Sequence, residues 1–457
     1  MRIKICVKLA CKQIFILISH KSPIREQLHP KGQTMETKHL RSGFTTGTCA
    51  SAAAKAAAVF LLTGNQAETV TLTLPSGTEG SWSPVPCEEM EYEGFFKVRK
   101  DAGDDPDVTN GTWVCAGVFP ITRGRLEFLK EQGKGYWLER YPDLYINGGT
   151  GIGLATKPGL SCPPGHYAIN PVPRMAILDE VWQVCRQAAY EGCLEVRVSI
   201  PEGECLSKKT FNPRLGIEGG ISVLGTSGIV KPMSEEALLE TIRLDIHMKA
   251  AAGEKILLLA PGNYGETFLK ESMDVPLGAA VLCSNFVGNT VDVLVEEKIS
   301  KILFVGHIGK LIKVSAGVKN THSRYGDGRM QQMAELTRQA APERQSLYEA
   351  VLRCNTTEEA VGILRAVGLA GEILDLAAKG VETEMEMWSG KRLEVQVVTF
   401  SSAYGILGST GQAQELLALW KQQREDRNET GGNQLYKSGE PGLREAGEAV
   451  PGAGHSL

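Results

Sequence analysis

The hydrophobic positions of the chain follow two different rhythms. Up to about residue 220, an alanine-rich helical run and strand-like runs such as "TVTLTL" and "LEVRVSI" are separated by long loops rich in glycine, proline and aspartate. From about residue 221, short apolar runs alternate with helical patterns; the runs are "ISVLG", "KILLLA", "AAVLCS", "ILFVG" and "EVQVVTF". Short apolar strands separated by helices are typical of a parallel sheet covered on both faces. The chain therefore predicts an α+β domain over residues 36–220, followed by an α/β, Rossmann-like doubly wound domain over residues 221–420.

One helix of the second half shows its periodicity and both of its ends. Leu238, Ile242 and Ile246 recur at every fourth position, as on the buried face of a helix. Ser234 is a suitable N-cap, and Gly253 can end the helix in a left-handed conformation. The pattern predicts a helix over residues 235–252, and a second helix is expected from about Glu266.

The two ends of the chain differ from its body. Residues 1–34 hold seven Lys or Arg against one acid, and their apolar core "IFILI" is shorter than that of a signal peptide. We expect residues 1–35 to be an unstructured extension, with Met35 as a candidate for the true start. Residues 421–457 have few bulky apolar side chains, which predicts a disordered tail.

Composition and charge narrow the choice of partner. The 457 residues are 42% hydrophobic with a net charge of −4, so no broad basic surface for nucleic acid is expected. The run "IFILI" is also far shorter than a membrane span, and no membrane partner is expected. The eleven cysteines form no CxxC pair, which favours reduced thiols in a cytoplasm and argues against a structural zinc site. A small-molecule ligand is the expected partner, and a homo-oligomer is left open.

Small polar residues follow the predicted strands of the second half. In doubly wound domains, ligands bind beyond the carboxyl ends of the strands, where glycine permits close approach and polar groups orient the ligand. The same residue types also make ordinary tight turns, which is the alternative explanation. The candidates are Gly225, Thr226, Ser227, Gly228, Gly262, Asn263, Tyr264, Ser284, Asn285, His307, Lys310, Ser401, Ser402 and Tyr404.

Two helix starts are candidate anion sites. In "TTGTC", Thr48 can cap a helix, Gly47 allows close approach, and Thr45 and Thr46 add hydroxyls beside exposed N–H groups. A capped helix in a crowded core is the alternative, and Cys49 is a weaker candidate nucleophile.

The other helix start is "GKLIKVSAG", where Lys310 stands at the positive end of the helix dipole. A bound carboxylate or phosphate would offset that unfavourable position, whereas a solvated lysine needs no ligand. His307 can donate to a ligand or cap its own turn. The acidic loop "DAGDDPDVTNG" is either a turn-forming loop or a hard-cation site.

Eight stretches of the sequence together resemble one family, the cobalt-precorrin-5B C-1 methyltransferases of the CbiD type, which belong to the anaerobic cobalamin pathway. They occur in the family's order over about residues 40–325. They are "LRSGFTTGTCASAAAKAA", "DAGDDPDVT", "INGGTGIG", "INPVPRMAI", "GGISVLGTSGIVKPMSEEA", "APGNYGE", "CSNFVG" and "HIGKLIKVSAG" with "THS".

The resemblance implies that the methyl group of S-adenosylmethionine is transferred to ring carbon C-1 of cobalt-precorrin-5B, giving cobalt-precorrin-6A. Cobalt would arrive only as part of the substrate, so no metal site of the protein's own is expected. On this basis Thr46 and His307 are candidate catalytic residues. Carboxylates of the macrocycle would bind at Thr45, Gly47, Thr48, Arg174, Lys231 and Lys310.

S-adenosylmethionine would bind the loops Gly225–Gly228, Gly262–Glu266 and Asn285, with Tyr264 stacking and Glu266 on the ribose hydroxyls. The usual acidic residue and glycine-rich loop of Rossmann methyltransferases are missing, so this placement is an expectation. Two other functions are retained as alternatives: an NAD(P)-dependent Rossmann-type oxidoreductase and a non-catalytic corrinoid-binding protein.

Overall fold

The computed structural model describes residues 40–88 and 94–435. The extension predicted for residues 1–35 lies outside these residues. Two sheets organise the described chain, one in an N-terminal region (residues 40–232) and one in a C-terminal region (residues 233–435).

The elements of the N-terminal region are β1 Gly43–Phe44, α1 Thr46–Thr63, β2 Val70–Thr73, β3 Glu79–Trp82, β4 Val85–Pro86, β5 Phe95–Arg99, β6 Trp113–Ile121, α2 Arg123–Gln132, β7 Tyr136–Leu138, β8 Tyr141–Gly148, β9 Leu154–Ala155, α3 Pro171–Gln187, β10 Cys193–Ser199, α4 Gly203–Ser207, β11 Ile217–Glu218 and β12 Ile229–Val230. Those of the C-terminal region are α5 Glu235–Ala251, β13 Ile256–Ala260, α6 Asn263–Met273, β14 Val281–Leu282, α7 Val287–Glu296, β15 Lys301–His307, α8 Ile308–Val314, a 3-10 turn Ser323–Tyr325, α9 Arg329–Ala340, α10 Gln345–Leu352, α11 Thr357–Ala366, α12 Ala370–Trp388, β16 Glu394–Ser401, β17 Gly405–Ser409 and α13 Ala413–Leu435.

The N-terminal region is built on a six-stranded sheet of order β4-β5-β6-β10-β8-β7, in which only β10 and β8 are parallel. The alanine-rich helix α1 lies across β5 and β6 and against α3. Its alanines from Ala50 to Ala58 are almost all fully buried, because side chains this small let the helix approach its neighbours closely. By length and composition α1 is apolar enough to span a membrane, but two-thirds of it is buried inside the fold, as in a core helix.

The C-terminal region is built on a five-stranded sheet of order β14-β13-β15-β16-β17, of which the first four strands are parallel and β17 is antiparallel. Apolar side chains on one face pack with α5, α7 and α12, and those on the other face pack with α6 and α13. Helices therefore cover both faces. The description of residues 221–420 as a Rossmann-like doubly wound domain, and the division at residue 220, stay predictions.

Several expected elements differ in detail. The predicted helix over 235–252 is α5, and the Ser234 hydroxyl accepts from Ala237 N as its cap. Leu238, however, is 48% exposed and lies off the buried stripe. The helix expected from Glu266 begins three residues earlier, at Asn263.

The apolar run "ISVLG" (221–225) does not join the five-stranded sheet. Ile221 and Val223 instead form single bridges to Ile152 and Ile169, and their side chains complete the N-terminal core. At the other end, α13 continues to Leu435, so the predicted disordered tail is wrong for residues 421–435. Residues 436–457 lie outside the described part of the chain.

The two regions contact each other through α5. Met248 of α5 packs against Ala168, Leu215 and Ile217 of the N-terminal region. Polar contacts join the segment before α5 to both sides: Met233 N donates to Asp105 Oδ1 at 3.0 Å, and Glu235 forms an ion pair with Arg324.

Candidate active site

Thr45, not Thr48, caps the helix that opens the "TTGTC" motif. The Thr45 hydroxyl accepts from Thr48 N at 3.3 Å, so α1 begins three residues before the predicted position. Both residues are buried, and Thr48 Oγ1 donates to Gly228 O at 2.8 Å. The helix mouth is therefore closed by the loop Leu224–Gly228.

Thr46 and Gly47 hold the same loop. Thr46 Oγ1 donates to Leu224 O at 3.2 Å and accepts from Leu224 N at 3.1 Å, while Gly47 N donates to Leu224 O at 3.1 Å. The N–H groups of Gly47 and Thr48 are thus already bonded, and the open anion nest expected here is occupied by protein backbone. The catalytic role predicted for Thr46 stays a prediction.

Only a small cavity lies between the start of α1 and the loop that covers it. A cavity of about 40 Å³ is lined by Thr45, Thr48, Gly225, Gly228 and Glu180, among others, with room for about one or two water molecules. Gly225 has a φ of 137°, and a Cβ added there would lie 2.2 Å from Thr45 Oγ1. Glycine is required at this position for the loop to seat on the helix.

Cys49 follows Thr48 in α1 and is fully buried. Burial raises the pKa of its thiol to about 12, so the sulfur stays protonated at neutral pH. A buried, protonated thiol argues against the nucleophilic role considered for Cys49.

In the C-terminal region the predicted strand-end residues do lie along one edge. Strands β14, β13, β15 and β16 are parallel, so the loops that follow them meet at their carboxyl ends. This edge holds Gly262, Asn263 and Tyr264 after β13, Ser284 and Asn285 after β14, His307 and Lys310 at β15, and Ser402 and Tyr404 after β16. Gly225–Gly228 lie instead at the mouth of α1.

Exposed apolar side chains accompany these loops. Tyr264 is 79% exposed, and Tyr325 and Tyr404 project from neighbouring loops beyond the strands. Leu224 and Met233 are exposed on the segment that leads from the mouth of α1 to α5. The Glu235–Arg324 ion pair joins that segment to the loop of Tyr325. A large flat ligand with an apolar face would find matching surface here.

His307 caps its own helix. Its Nδ1 accepts from Gly309 N at 3.1 Å, and Nε2 lies 3.0 Å from Glu358 Oε1. Since Nδ1 is an acceptor, the proton of the neutral ring resides on Nε2 and is donated to Glu358. Both nitrogens are thus engaged, and the catalytic role predicted for His307 stays a prediction.

The predicted cationic residues occupy different environments. Lys310 Nζ donates to Pro261 O at 3.3 Å, at the end of the neighbouring strand, and burial lowers the pKa of this lysine. Lys231 is exposed directly after β12. Arg174 makes contacts within the N-terminal region: its Nε donates to Ile169 O at 3.0 Å, and its guanidinium stacks on Tyr136, 3.6 Å from the ring centroid. Its predicted role in substrate binding stays a prediction.

Glu266 does not face an open ligand position. Its Oε1 accepts from Gly278 N at 2.7 Å and lies 3.4 Å from Arg214 Nη2. The ribose contact expected for this carboxylate is therefore replaced by contacts within the protein. Arg214 lies far from Glu266 in the chain, and no local pattern indicates that the two side chains meet.

The acidic loop is anchored by protein cations and N–H groups. Asp101 receives two hydrogen bonds from Arg41, and Asp107 pairs with the buried Lys100 at 2.6 Å. Arg41 holds the pKa of Asp101 down at about 2. Within residues 40–88 and 94–435 no cluster of His, Cys, Asp or Glu has the arrangement of a metal site. The turn-forming explanation is favoured over the cation site.

These features describe a mixed α/β protein with polar and aromatic loops at the carboxyl edge of a parallel sheet, as in proteins that bind small molecules. The family model described as CbiD matches residues 33–232, and the model described as CbiD, C-terminal domain, matches residues 320–411.

Curated relatives cover most of the chain. A protein of Ruminiclostridium cellulolyticum named cobalt-precorrin-5B C(1)-methyltransferase is 37% identical over 80% of this chain and 90% of its own length. The protein of that name from a Thermoanaerobacter species is 40% identical over 83% of this chain and 98% of its own length. A crystal structure of a cobalamin biosynthesis protein, CbiD, from Archaeoglobus fulgidus is 26% identical, covers 63% of this chain and 83% of that one, and superposes with a TM-score of 0.33.

The chain belongs to the CbiD family. The expected resemblance is thereby confirmed, and it extends through two matched segments separated by residues 233–319.

Proposed function

We propose that this chain transfers the methyl group of S-adenosylmethionine to C-1 of cobalt-precorrin-5B, giving cobalt-precorrin-6A and S-adenosylhomocysteine. The observation that supports it most directly is that relatives 37–40% identical over 88–98% of their length share the name of that activity. The absence of any CxxC pair from the sequence agrees with reduced thiols and a cytoplasmic location.

The donor is assigned to the edge of the C-terminal sheet. Gly262 has no side chain to obstruct a ligand, and Asn263 and Tyr264 are exposed in the first turn of α6. Asn285 follows the neighbouring strand and is half-buried, with its Oδ1 accepting from Thr321. These groups fit the amino acid and adenosine parts of S-adenosylmethionine. Glu266 is not part of this proposed site, because its Oε1 contacts Gly278 and Arg214.

The macrocycle is assigned to the surface between the α1 mouth and the strand ends. Leu224, Met233 and Tyr325 offer apolar contact to the ring, while Lys231 and Lys310 offer cations to its acetate and propionate groups. The Glu235–Arg324 ion pair joins this surface to the segment of Thr321, which donates to Asn285 of the proposed donor site.

Methyl transfer from a sulfonium to carbon is an in-line displacement, in which the carbon–carbon bond forms as the carbon–sulfur bond breaks and sulfur keeps the bonding pair. Such a reaction depends on alignment and on exclusion of water more than on a strong base. The proposed work of the protein is to hold the macrocycle and the donor loops in one geometry. The hydrogen bonds of Thr46 and His307, which fix loops, agree with that role.

Calorimetry and a turnover assay test the proposal. Wild-type protein is expected to bind S-adenosylhomocysteine and to form methylated product from cobalt-precorrin-5B and S-adenosylmethionine. Tyr264→Ala is expected to weaken S-adenosylhomocysteine binding, whereas Phe128→Ala, which alters an exposed aromatic residue of α2, is not.

The two alternatives give different results in the same experiments. An NAD(P)-dependent oxidoreductase would bind NADPH and would not bind S-adenosylhomocysteine. A non-catalytic corrinoid carrier would bind the macrocycle and neither cofactor. Either result, together with the absence of methylated product, would replace the proposal.

A further inference from the structure

Arg214 reaches from the N-terminal region into the C-terminal region. Its neighbours Leu215 and Ile217 pack against Met248 of α5, which fixes the base of the loop. From there, Arg214 Nη2 donates to Ala280 O at 3.0 Å and lies 3.4 Å from Glu266 Oε1. One guanidinium thus contacts both the segment before β14 and the first turn of α6.

Glu266 receives this contact together with a backbone bond. Its Oε1 accepts from Gly278 N at 2.7 Å, and Gly278 lies against the side chain of Arg214. The side chains of Arg214 and Glu266 are only 24% and 15% exposed, so water screens their attraction less than it screens a surface ion pair. Lys249 adds a bond to Ala279 O at 3.1 Å, which holds the same segment.

The turn that Glu266 belongs to is the one that presents Asn263 and Tyr264. Gly265 seats this turn on the sheet, since a Cβ there would lie 2.8 Å from Ala260 Cβ and 3.1 Å from Val305 O. This close packing limits the distance between the turn and the sheet. The contacts of Glu266, two residues after Tyr264, restrict the rotation of the turn about the helix axis. Tyr264 is largely exposed, so the direction of its ring follows from the backbone of this turn.

We propose that Arg214 is a positioning residue for the donor site: acting through Glu266, it orients the first turn of α6 so that Asn263 and Tyr264 meet S-adenosylmethionine. The inference rests on the proposed function, and in particular on donor binding at Gly262–Tyr264. Because Arg214 belongs to the N-terminal region, it also couples the donor loop to the region that holds the mouth of α1.

Three variants test the contact: Arg214→Ala removes it, Arg214→Lys keeps the charge but loses the forked donor, and Glu266→Gln keeps the shape but loses the charge. Arg214→Ala and Glu266→Gln are expected to weaken S-adenosylhomocysteine binding about tenfold, since small misplacements of binding groups are costly. Arg214→Lys is expected to lie between them and wild type. The KM for S-adenosylmethionine should rise, while the KM for cobalt-precorrin-5B stays unchanged.

Arg243 provides a matched control. It also forms an ion pair between two elements, with Glu296 of α7, but that pair lies on the surface and away from the strand ends. Arg243→Ala is expected to leave both KM values unchanged. The double variant Arg214→Ala/Glu266→Gln should bind S-adenosylhomocysteine as tightly as the more impaired of the two single variants, because the two residues act through one contact.

The outcomes separate this inference from the proposed function. Failure of wild-type protein to bind S-adenosylhomocysteine would overturn the proposed function and this inference with it. Wild-type binding, together with unchanged affinity and KM in a folded Arg214→Ala or Glu266→Gln protein, would overturn the inference alone. Thermal unfolding reports folding, and if Arg214→Ala does not fold, Glu266→Gln and Arg214→Lys decide the result.

Discussion

At the scale of single residues, hydroxyl groups at the mouth of α1 act as connectors. Thr45 caps the helix, while Thr46 and Thr48 bond the backbone of the loop Leu224–Gly228, about 180 residues away in the chain. Because these groups are buried, loss of one leaves a partner without its bond and costs more than loss of a surface contact. The motif thus joins the two ends of the N-terminal region.

Thr48→Val is expected to lower the free energy of unfolding by about 1–2 kcal/mol, because the bond from Thr48 Oγ1 to the buried Gly228 O is lost while the volume is kept. Thr48→Ser retains the hydroxyl and should stay closer to wild type. Urea unfolding of the three proteins measures the difference. Equal stability of the valine variant and wild type would contradict the prediction.

Residues whose function depends on a nearby partner could be predicted, and those with distant partners could not. Ser234 was identifiable as a cap because its bond is to Ala237, three residues on. The predicted cap of α1, Thr48, is wrong because each threonine of "TTGT" is a suitable N-cap, and the local sequence does not distinguish between them. The sequence pattern predicts a ligand contact for Glu266. Its actual partner, Arg214, is brought close only by the tertiary structure, which a local pattern does not contain.

At the scale of elements, the position of the partner also decides which apolar runs become strands. The runs "KILLLA", "ILFVG" and "EVQVVTF" lie in the five-stranded sheet, whereas "ISVLG" forms only single bridges in the N-terminal region. An apolar run signals burial, and the partner that buries it decides whether a strand forms. The last helix continues past residue 420 for a different reason: Gln423 and Arg427 make hydrogen bonds to residues 252–256, which a search for apolar side chains does not detect.

Trp420 anchors α13 to the C-terminal region. It is buried against the C-terminal sheet with Leu416 and Phe400, although it follows the segment matched by the family models. Trp420→Ala is expected to reduce the free energy of unfolding by about 3–5 kcal/mol. Leu419→Ala changes a 41% exposed neighbour and should cost little. Denaturant unfolding compares them, and equal effects would show that α13 does not pack as described.

The acidic loop gives a second prediction for an element, this time on pH dependence. Hydrogen bonding to Arg41 depresses the pKa of Asp101 from 3.8 to about 2 in the folded protein. The stability it contributes is therefore present above pH 3.8 and is lost as pH falls through about 2. Asp101→Asn lacks this titration. The stability difference between wild type and the variant should shrink over that window, as acid titration followed by circular dichroism would show; a constant difference would contradict it.

At the scale of the whole molecule, polar contacts between the two regions form a path, beside the apolar contact of Met248 with Leu215 and Ile217. The path runs from the mouth of α1 through β1 and β12 to Met233 and Glu235, and from there through Arg324 to the strand ends. Arg214 forms a second connection beside β14. A macrocycle bound along the first path would contact both regions, so its affinity should depend on cations that lie between them.

Lys231 is a cation on this path and is exposed between β12 and α5. Lys231→Gln is expected to raise the KM for cobalt-precorrin-5B about two- to fivefold, the range of a single exposed ion pair, and to leave the KM for S-adenosylmethionine unchanged. Added salt should raise the wild-type KM for the macrocycle and affect the variant less, because one screened contact is already missing. Lys298→Gln serves as the control, because Lys298 is exposed just before β15, at the amino ends of the C-terminal strands and away from this path. Equal KM values of both variants and wild type for cobalt-precorrin-5B, at low and at high salt, would contradict binding of the macrocycle carboxylates at Lys231.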